Sequence, residues 1–391
     1  MTTPASAGPY QALIFGASGI SGWAITRAAL LSTDFKFSKV VGLTRRPLSI
    51  QQSSLPTDSR LALQSGLDLG RGQEAVTELL GTIQDIERTS HVYFTAYIHG
   101  AFGETKDEAR TRINVEILRT AIGAVEQLCP KLQFWVLQSG AKWYGTEFSE
   151  ILKPKAPFRE SAPRIPSPYG DHIFYYPQFD LLEQRSRTKD WTFANIIPDS
   201  IVGFVPANNP MTIAHPIALY LAMWKKFRET TVVAFPGTST SYKTLHTDSS
   251  SDTLGNFTIY VSMHAEQTSG RNFNIADNDG VTWEDTWDGI CSYFGLKGGP
   301  PNENAGFLQG ENWILSLKPR WAEFEKETGL RSGVLETTPW EFFTIIVGYY
   351  SEINRNLDIS EARKIGFPLS GDAVKSYHDT FDRLRVAKMI P

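Results

Sequence analysis

The apolar run Leu13-Ile14-Phe15 leads directly into Gly16-Ala17-Ser18-Gly19-Ile20-Ser21-Gly22, three glycines spaced three residues apart near the start of the chain. A strand, a glycine turn and a helix start in that order constrain the fold more than any other segment. Gly16 permits a turn that a side chain would obstruct, Gly19 lets backbone approach a pyrophosphate, and Gly22 lets the next helix pack closely on the strand. That helix, expected from Ser21 to about Leu31, would aim free N–H groups and the positive end of its dipole at phosphates, with Ser18 and Ile20 beside them. A glycine turn with no ligand is the plain alternative, and the strand-turn-helix order argues against it.

The next apolar run, Val40-Val41-Gly42-Leu43, ends in Thr44-Arg45-Arg46-Pro47. A site for NAD usually carries Asp or Glu at this tip to accept from the ribose 2′-OH, and that charge would repel a 2′-phosphate. Two arginines stand there instead. Guanidinium forks match phosphate oxygens and stack on adenine, so Arg45 and Arg46 predict NADP(H) as cofactor. Solvated surface arginines are the competing reading.

Composition narrows the partners. The 391 residues suffice for a large core, and 38 basic against 42 acidic side chains give a formal charge of −4 with no basic tract, which speaks against nucleic acid. The first nine residues lack a charged start followed by an apolar core, and no apolar run approaches the ~18 residues of a membrane span. A cytoplasmic protein with no membrane partner is expected. Two cysteines, Cys129 and Cys291, offer neither a Cys-x-x-Cys nor a disulfide framework, and seven histidines show no metal-ligand spacing. Assembly into a homodimer is left open.

Further strands are expected at Leu61-Ala62-Leu63, His91 to Thr95, Phe134 to Ser139 and Phe193 to Ile197, where branched and aromatic residues cluster. Between them Ile113, Ile117, Ala121 and Val125 recur every four residues as one face of a helix. This alternation predicts an α/β fold, a Rossmann-type doubly wound parallel sheet over residues 10–200. From about Ile201 the pattern changes to aromatic-rich helices and Pro/Gly loops. Residues 201–391 are expected to form a smaller, mostly helical substrate lobe, interleaved with segments returning to the nucleotide domain at about 240–280. A helix from Met211 to Phe227 would lie over the pocket, most of its residues packing in the core.

A short-chain dehydrogenase would carry Tyr-x-x-x-Lys, one helix turn that sets a phenol beside an ammonium. Of fourteen tyrosines only Tyr293 has a lysine four residues on, Lys297, and that pair lies beyond the strand region. The segment after the fifth strand instead holds Ser139-Gly140-Ala141-Lys142-Trp143-Tyr144-Gly145, followed later by Ile173-Phe174-Tyr175-Tyr176-Pro177. At these residues the chain resembles the progesterone 5β-reductase and iridoid synthase-like enzymes, an atypical branch of the extended short-chain dehydrogenases. In that family Thr-Gly-x-Lys-His-Tyr ends the fifth strand and Asn-Phe-Tyr-Tyr opens the next helix.

The resemblance extends to Leu67-Asp68-Leu69, to His91 through Thr95, to Phe273 through Asp279 before Trp283, and to the final Lys388-Met389-Ile390-Pro391. It implies that Lys142 and Tyr175 are catalytic and touch the cofactor, that Asp68 and Leu69 meet adenine, and that Thr95, Ser139, Pro198 and Ile201 complete the cofactor contacts. Tyr97 and Trp143 would face substrate. Phe342, Phe343, Tyr349 and Tyr350 either line an apolar pocket or fill the core, the first reading assigning Phe343 and Tyr349 to the substrate. Two departures bear on substrate identity: Trp143 replaces the usual His, and Asn195-Ile196-Ile197-Pro198-Asp199 stands where the family has His-Arg-Pro-Gly.

The implied reaction is conjugate reduction of a small apolar carbonyl compound, an enone or enal, with Tyr175 and Lys142 as donors to the carbonyl oxygen. A carbonyl reductase or alcohol dehydrogenase is the second reading, because the same donors serve a ketone. A redox-neutral cyclase or isomerase is the third, alongside a nucleotide-sensing regulator that has no need of paired donors.

Overall fold

Parallel strands buried on both faces are written as unbroken apolar runs, and Ala12 to Phe15 are wholly buried within the first strand. The computed structural model describes residues 10–98, 106–206, 211–302, 313–338, 340–347, 353–369 and 371–391. Tyr349 and Tyr350 lie outside the described residues, as does the side chain of Phe342. The strands are β1 (Tyr10–Phe15), β2 (Phe37–Thr44), β3 (Leu61–Ser65), β4 (His91–Phe94), β5 (Phe134–Gln138), β6 (Thr192–Pro198), β7 (Ser200–Val202), β8 (Val232–Ala234), β9 (Asp248–Ser250), β10 (Arg271–Ile275) and β11 (Lys297–Gly299).

Seven of them form one parallel sheet in the order β10-β6-β5-β4-β1-β2-β3. The order reverses between β1 and β4. Ligands of open α/β sheets bind at the carboxyl ends of the strands at such a reversal. Residues along β1 alternate between two cores, Ala12 and Ile14 on one face, Leu13 and Phe15 on the other, as a period of two requires.

Helices α1 (Ile20–Leu31), α2 (Gln73–Gly81), α3 (Lys106–Leu128), α4 (Tyr175–Ser186), α5 (Ala214–Phe227), α6 (Ser251–Met263), α7 (Trp283–Ser292), α8 (Trp340–Val347) and α9 (Ala373–Val386) cover the sheet and build the C-terminal half. Ile117, Ala121 and Val125 of α3 are buried, while Ile113 is only partly so. The chain returns to the sheet after β6: β10 hydrogen-bonds along β6, and α6 packs on α1. Helix α5 begins at Ala214, later than the expected Met211, and its first ten residues are buried on every side. A helix apolar all round belongs to a core, so α5 fills the interior. Tyr293 follows the end of α7 and donates to Asp382 at 2.6 Å, whereas Lys297 begins β11. They do not share a helix turn.

Candidate functional site

The turn after β1 is built around missing side chains. Gly16 has φ +91°, and a Cβ on Gly22 would lie 2.2 Å from the Gly16 carbonyl oxygen, so the helix meets the turn backbone to backbone. Gly19 starts α1 with no side-chain cap, and the first turn holds no acidic residue. The opening N–H groups of a helix have no intrahelical acceptor, which leaves those of α1 facing the carboxyl ends of the strands. Gln138 at the tip of β5 donates to the Ser21 hydroxyl at 2.7 Å and ties the two elements together.

Around this turn the sheet gathers the other sequence-derived positions. Thr95 follows β4 and donates its hydroxyl to the Phe15 carbonyl at 2.8 Å. Arg45 and Arg46 follow β2 and are exposed. Their turn is held by the Thr44 hydroxyl, which donates to the Arg46 carbonyl at 2.7 Å. After β3, Asp68 caps Gly70 N–H at 3.0 Å and Leu69 is buried. Ser139, Pro198 and Ile201 lie at the exits of β5 and β6, where Ser139 N–H donates to Ile196 O at 2.9 Å.

Tyr175 and Tyr176 open α4 in different environments. A methyl built on Gly140 would stand 3.4 Å from the Tyr175 hydroxyl and 3.6 Å from the Pro198 carbonyl oxygen, so the Tyr175 hydroxyl reaches the exits of β5 and β6. Tyr175 is half-buried, and burial pushes its phenol above the ordinary range, assisted by Tyr97 and Glu147 and opposed by Arg110. Like an ordinary phenol it is protonated at physiological pH and can donate. The Tyr176 hydroxyl is spent on backbone, donating to Trp143 O at 2.6 Å and accepting from Ile165 N–H at 3.0 Å.

Tyr97 stacks on Phe174 with centroids 5.4 Å apart, and Phe174 touches Tyr175 at 4.3 Å. Trp143 is buried, edge-on to Tyr176 at 4.8 Å and near Phe179 at 5.8 Å. Phe343 is buried farther off in the C-terminal half, against Tyr220 and Trp340. Lys142 donates to the Glu147 carboxylate at 2.6 Å.

Three polar side chains here escaped the sequence reading. Glu147 joins Lys142 to Arg110. Asn114 is wholly buried in α3, accepts from Ile98 N–H and donates to Ile98 O, both at 3.0 Å, so it fixes the chain leaving β4 beside Tyr97. Gln178 of α4 donates to Asn114 O at 2.7 Å. A polar residue inside an apolar periodicity was the available signal for Asn114.

The fold and this arrangement define an α/β protein of the short-chain dehydrogenase/reductase kind. The description of the PRISE-like Rossmann-fold domain matches residues 12–391, and the chain belongs to that family. It is 33% identical over 386 residues to the short chain dehydrogenase sirQ of Leptosphaeria maculans, covering 97% of both chains. It is 26% identical over 390 residues to a 3-oxo-Delta(4,5)-steroid 5-beta-reductase of Arabidopsis thaliana, covering 97% of this chain and 93% of that one. Among solved structures, the UDP-N-acetylglucosamine 4-epimerase of Methanobrevibacter ruminantium superposes with a TM-score of 0.62 at 12% identity, over 97% of this chain and 99% of the other, a likeness of fold.

Proposed function

We propose that this oxidoreductase uses NADPH to reduce the C=C bond of a small apolar enone or enal. The observation that carries the reading is the Tyr175 hydroxyl, which reaches the exits of β5 and β6 beside Gly140. A base that abstracts a proton from an alcohol needs a lowered phenol pKa; a donor to a developing oxyanion needs a proton to share. The raised Tyr175 phenol agrees with the second task, with Lys142 as the other donor after β5.

The chain's own groups fit a dinucleotide. Gly19 opens α1 with no side-chain cap and no acidic residue in the first turn, which leaves its N–H groups to a pyrophosphate, and the exposed Arg45 and Arg46 after β2 suit a ribose 2′-phosphate. NADPH, when bound, supplies the hydride. Tyr175 and Lys142 would draw the substrate carbonyl oxygen toward their protons as negative charge gathers on it. Tyr97 and Trp143 would border the apolar part. The relative named a steroid 5-beta-reductase supports the same class of substrate.

Incubation with NADPH and a panel of enones, enals and ketones tests the reading. Loss of NADPH absorbance with saturation of the C=C bond is expected. Alcohol formation would replace it with a carbonyl reductase, and product without NADPH consumption with a redox-neutral cyclase.

A further inference from the structure

Lys142 makes an ion pair that donation to a carbonyl oxygen does not itself require. Its Nζ stands 2.6 Å from Glu147 Oε1, and Glu147 Oε2 is 3.4 Å from Arg110 Nη2. The Glu147 and Arg110 side chains are only 15% and 17% exposed, against 30% for Lys142. The chain between Lys142 and Glu147 runs through a short 3-10 turn, Ala141–Tyr144, and reverses at Gly145. Arg110 comes from a separate element, α3. Glu147 and Arg110 both lie close enough to Tyr175 to act on its phenol, with opposite sign.

An ion pair with a half-exposed lysine contributes little to stability. A lysine side chain, however, carries about 2 kcal/mol of rotamer entropy, and a donor that must be in place when charge develops gains from losing that freedom beforehand. One carboxylate between two cations also leaves the group positive, the sign an enolate oxygen requires.

We propose that Glu147, itself held by Arg110, is a positioning residue that fixes the Lys142 ammonium in the catalytic site. The proposal rests on reading Lys142 as a donor to the substrate carbonyl. Glu147 acts through Lys142 and need not touch the substrate.

A double-mutant cycle on the full chain tests this, with NADPH and a substrate found active in the panel above. Glu147→Gln is expected to lower kcat about tenfold to a hundredfold, the scale of a misplaced catalytic group, with little change in the substrate KM. In a Lys142→Met background the same change should cost almost nothing, because residues acting as one unit are not additive. Glu147→Asp should recover part of the loss. Reductive methylation of Lys142, followed by mass spectrometry, should proceed faster in Glu147→Gln than in the unaltered protein, a readout independent of turnover.

An equal loss in both backgrounds, or unchanged methylation of Lys142, overturns the positioning role while leaving the reductase reading intact. Full turnover in Lys142→Met overturns both the donor role and the proposal. Thermal unfolding of each variant separates these outcomes from loss of the fold.

Discussion

Lys142 meets Glu147 at 2.6 Å at the mouth of the sheet, its side chain 30% exposed, whereas behind β6 a second group of charges is almost wholly buried and more loosely spaced. There Arg355 approaches Asp199 at 3.7 Å and donates to the Ser200 hydroxyl at 3.2 Å, while His246 approaches Asp248 at 3.8 Å. Burial raises the Asp199 carboxyl above its usual range against the opposing pull of Arg355. The first group joins residues 142, 147 and 110 beyond the carboxyl end of β5. The second joins the exit of β6, the start of β9 and the segment near residue 355, which are far apart in sequence.

This contrast separates two uses of charge. A tight pair whose lysine is partly exposed contributes little to folding, which is compatible with the positioning role proposed for Glu147. Buried charges cost desolvation and are destabilising once a partner is lost, so removing one member of the second group leaves an uncompensated charge between the C-terminal half and the sheet. The largest expected effect follows. Arg355→Met, which leaves Asp199 without its cation, should lower unfolding stability by roughly 3–5 kcal/mol in urea titration. A loss below about 1 kcal/mol, typical of a surface pair, would erase the distinction between the groups.

Neighbouring tyrosines sharpen the same comparison. Tyr175→Phe should lower turnover on the order of 10² to 10³, the effect of losing one oxyanion donor, while the unfolding transition stays in place. Tyr176→Phe should do the reverse. It strands Trp143 O and Ile165 N–H, a cost of about 1–3 kcal/mol in stability, and leaves turnover of the folded protein largely intact. Were Tyr176→Phe the variant that abolished turnover, the assignment of Tyr175 would have to be given up.

What could be read from the sequence was local. The glycine turn, the apolar runs of β1, β2, β4, β5 and β6 and the repeat in α3 each declare themselves within a short window, because backbone conformation and burial of one face are set there. Tyr175 and Lys142 were reached by resemblance, since no spacing joins residues 33 apart. Glu147 and Arg110 gave no signal: each is an ordinary charged residue until the 3-10 turn and α3 bring them to Lys142. The group around Arg355 was hidden for the same reason, its members meeting only after the chain has returned to the sheet through β9 and β10. The burial of α5 on all sides likewise depends on what the rest of the C-terminal half places against it.

The smallest effect concerns the cofactor and extends the comparison to exposed charges. Arg45 and Arg46 lie in solvent beyond β2, held in position by the Thr44 hydroxyl on the Arg46 carbonyl. Replacing both by Ala removes no buried contact, so stability should change by less than about 0.5 kcal/mol, as for surface substitutions in general. A 2′-phosphate would lose its charge-assisted hydrogen bonds, each about 1.5–3 kcal/mol when made to an ionised group and weaker where water competes. NADPH affinity should fall about tenfold, the equivalent of 1.4 kcal/mol, while that for NADH stays nearly constant. Titrations of both nucleotides, followed by the protein's tryptophan fluorescence at fixed ionic strength, measure the ratio directly. If the unaltered protein bound NADH as tightly as NADPH, the two arginines would be solvated surface charges and the assignment of NADPH would fall with them.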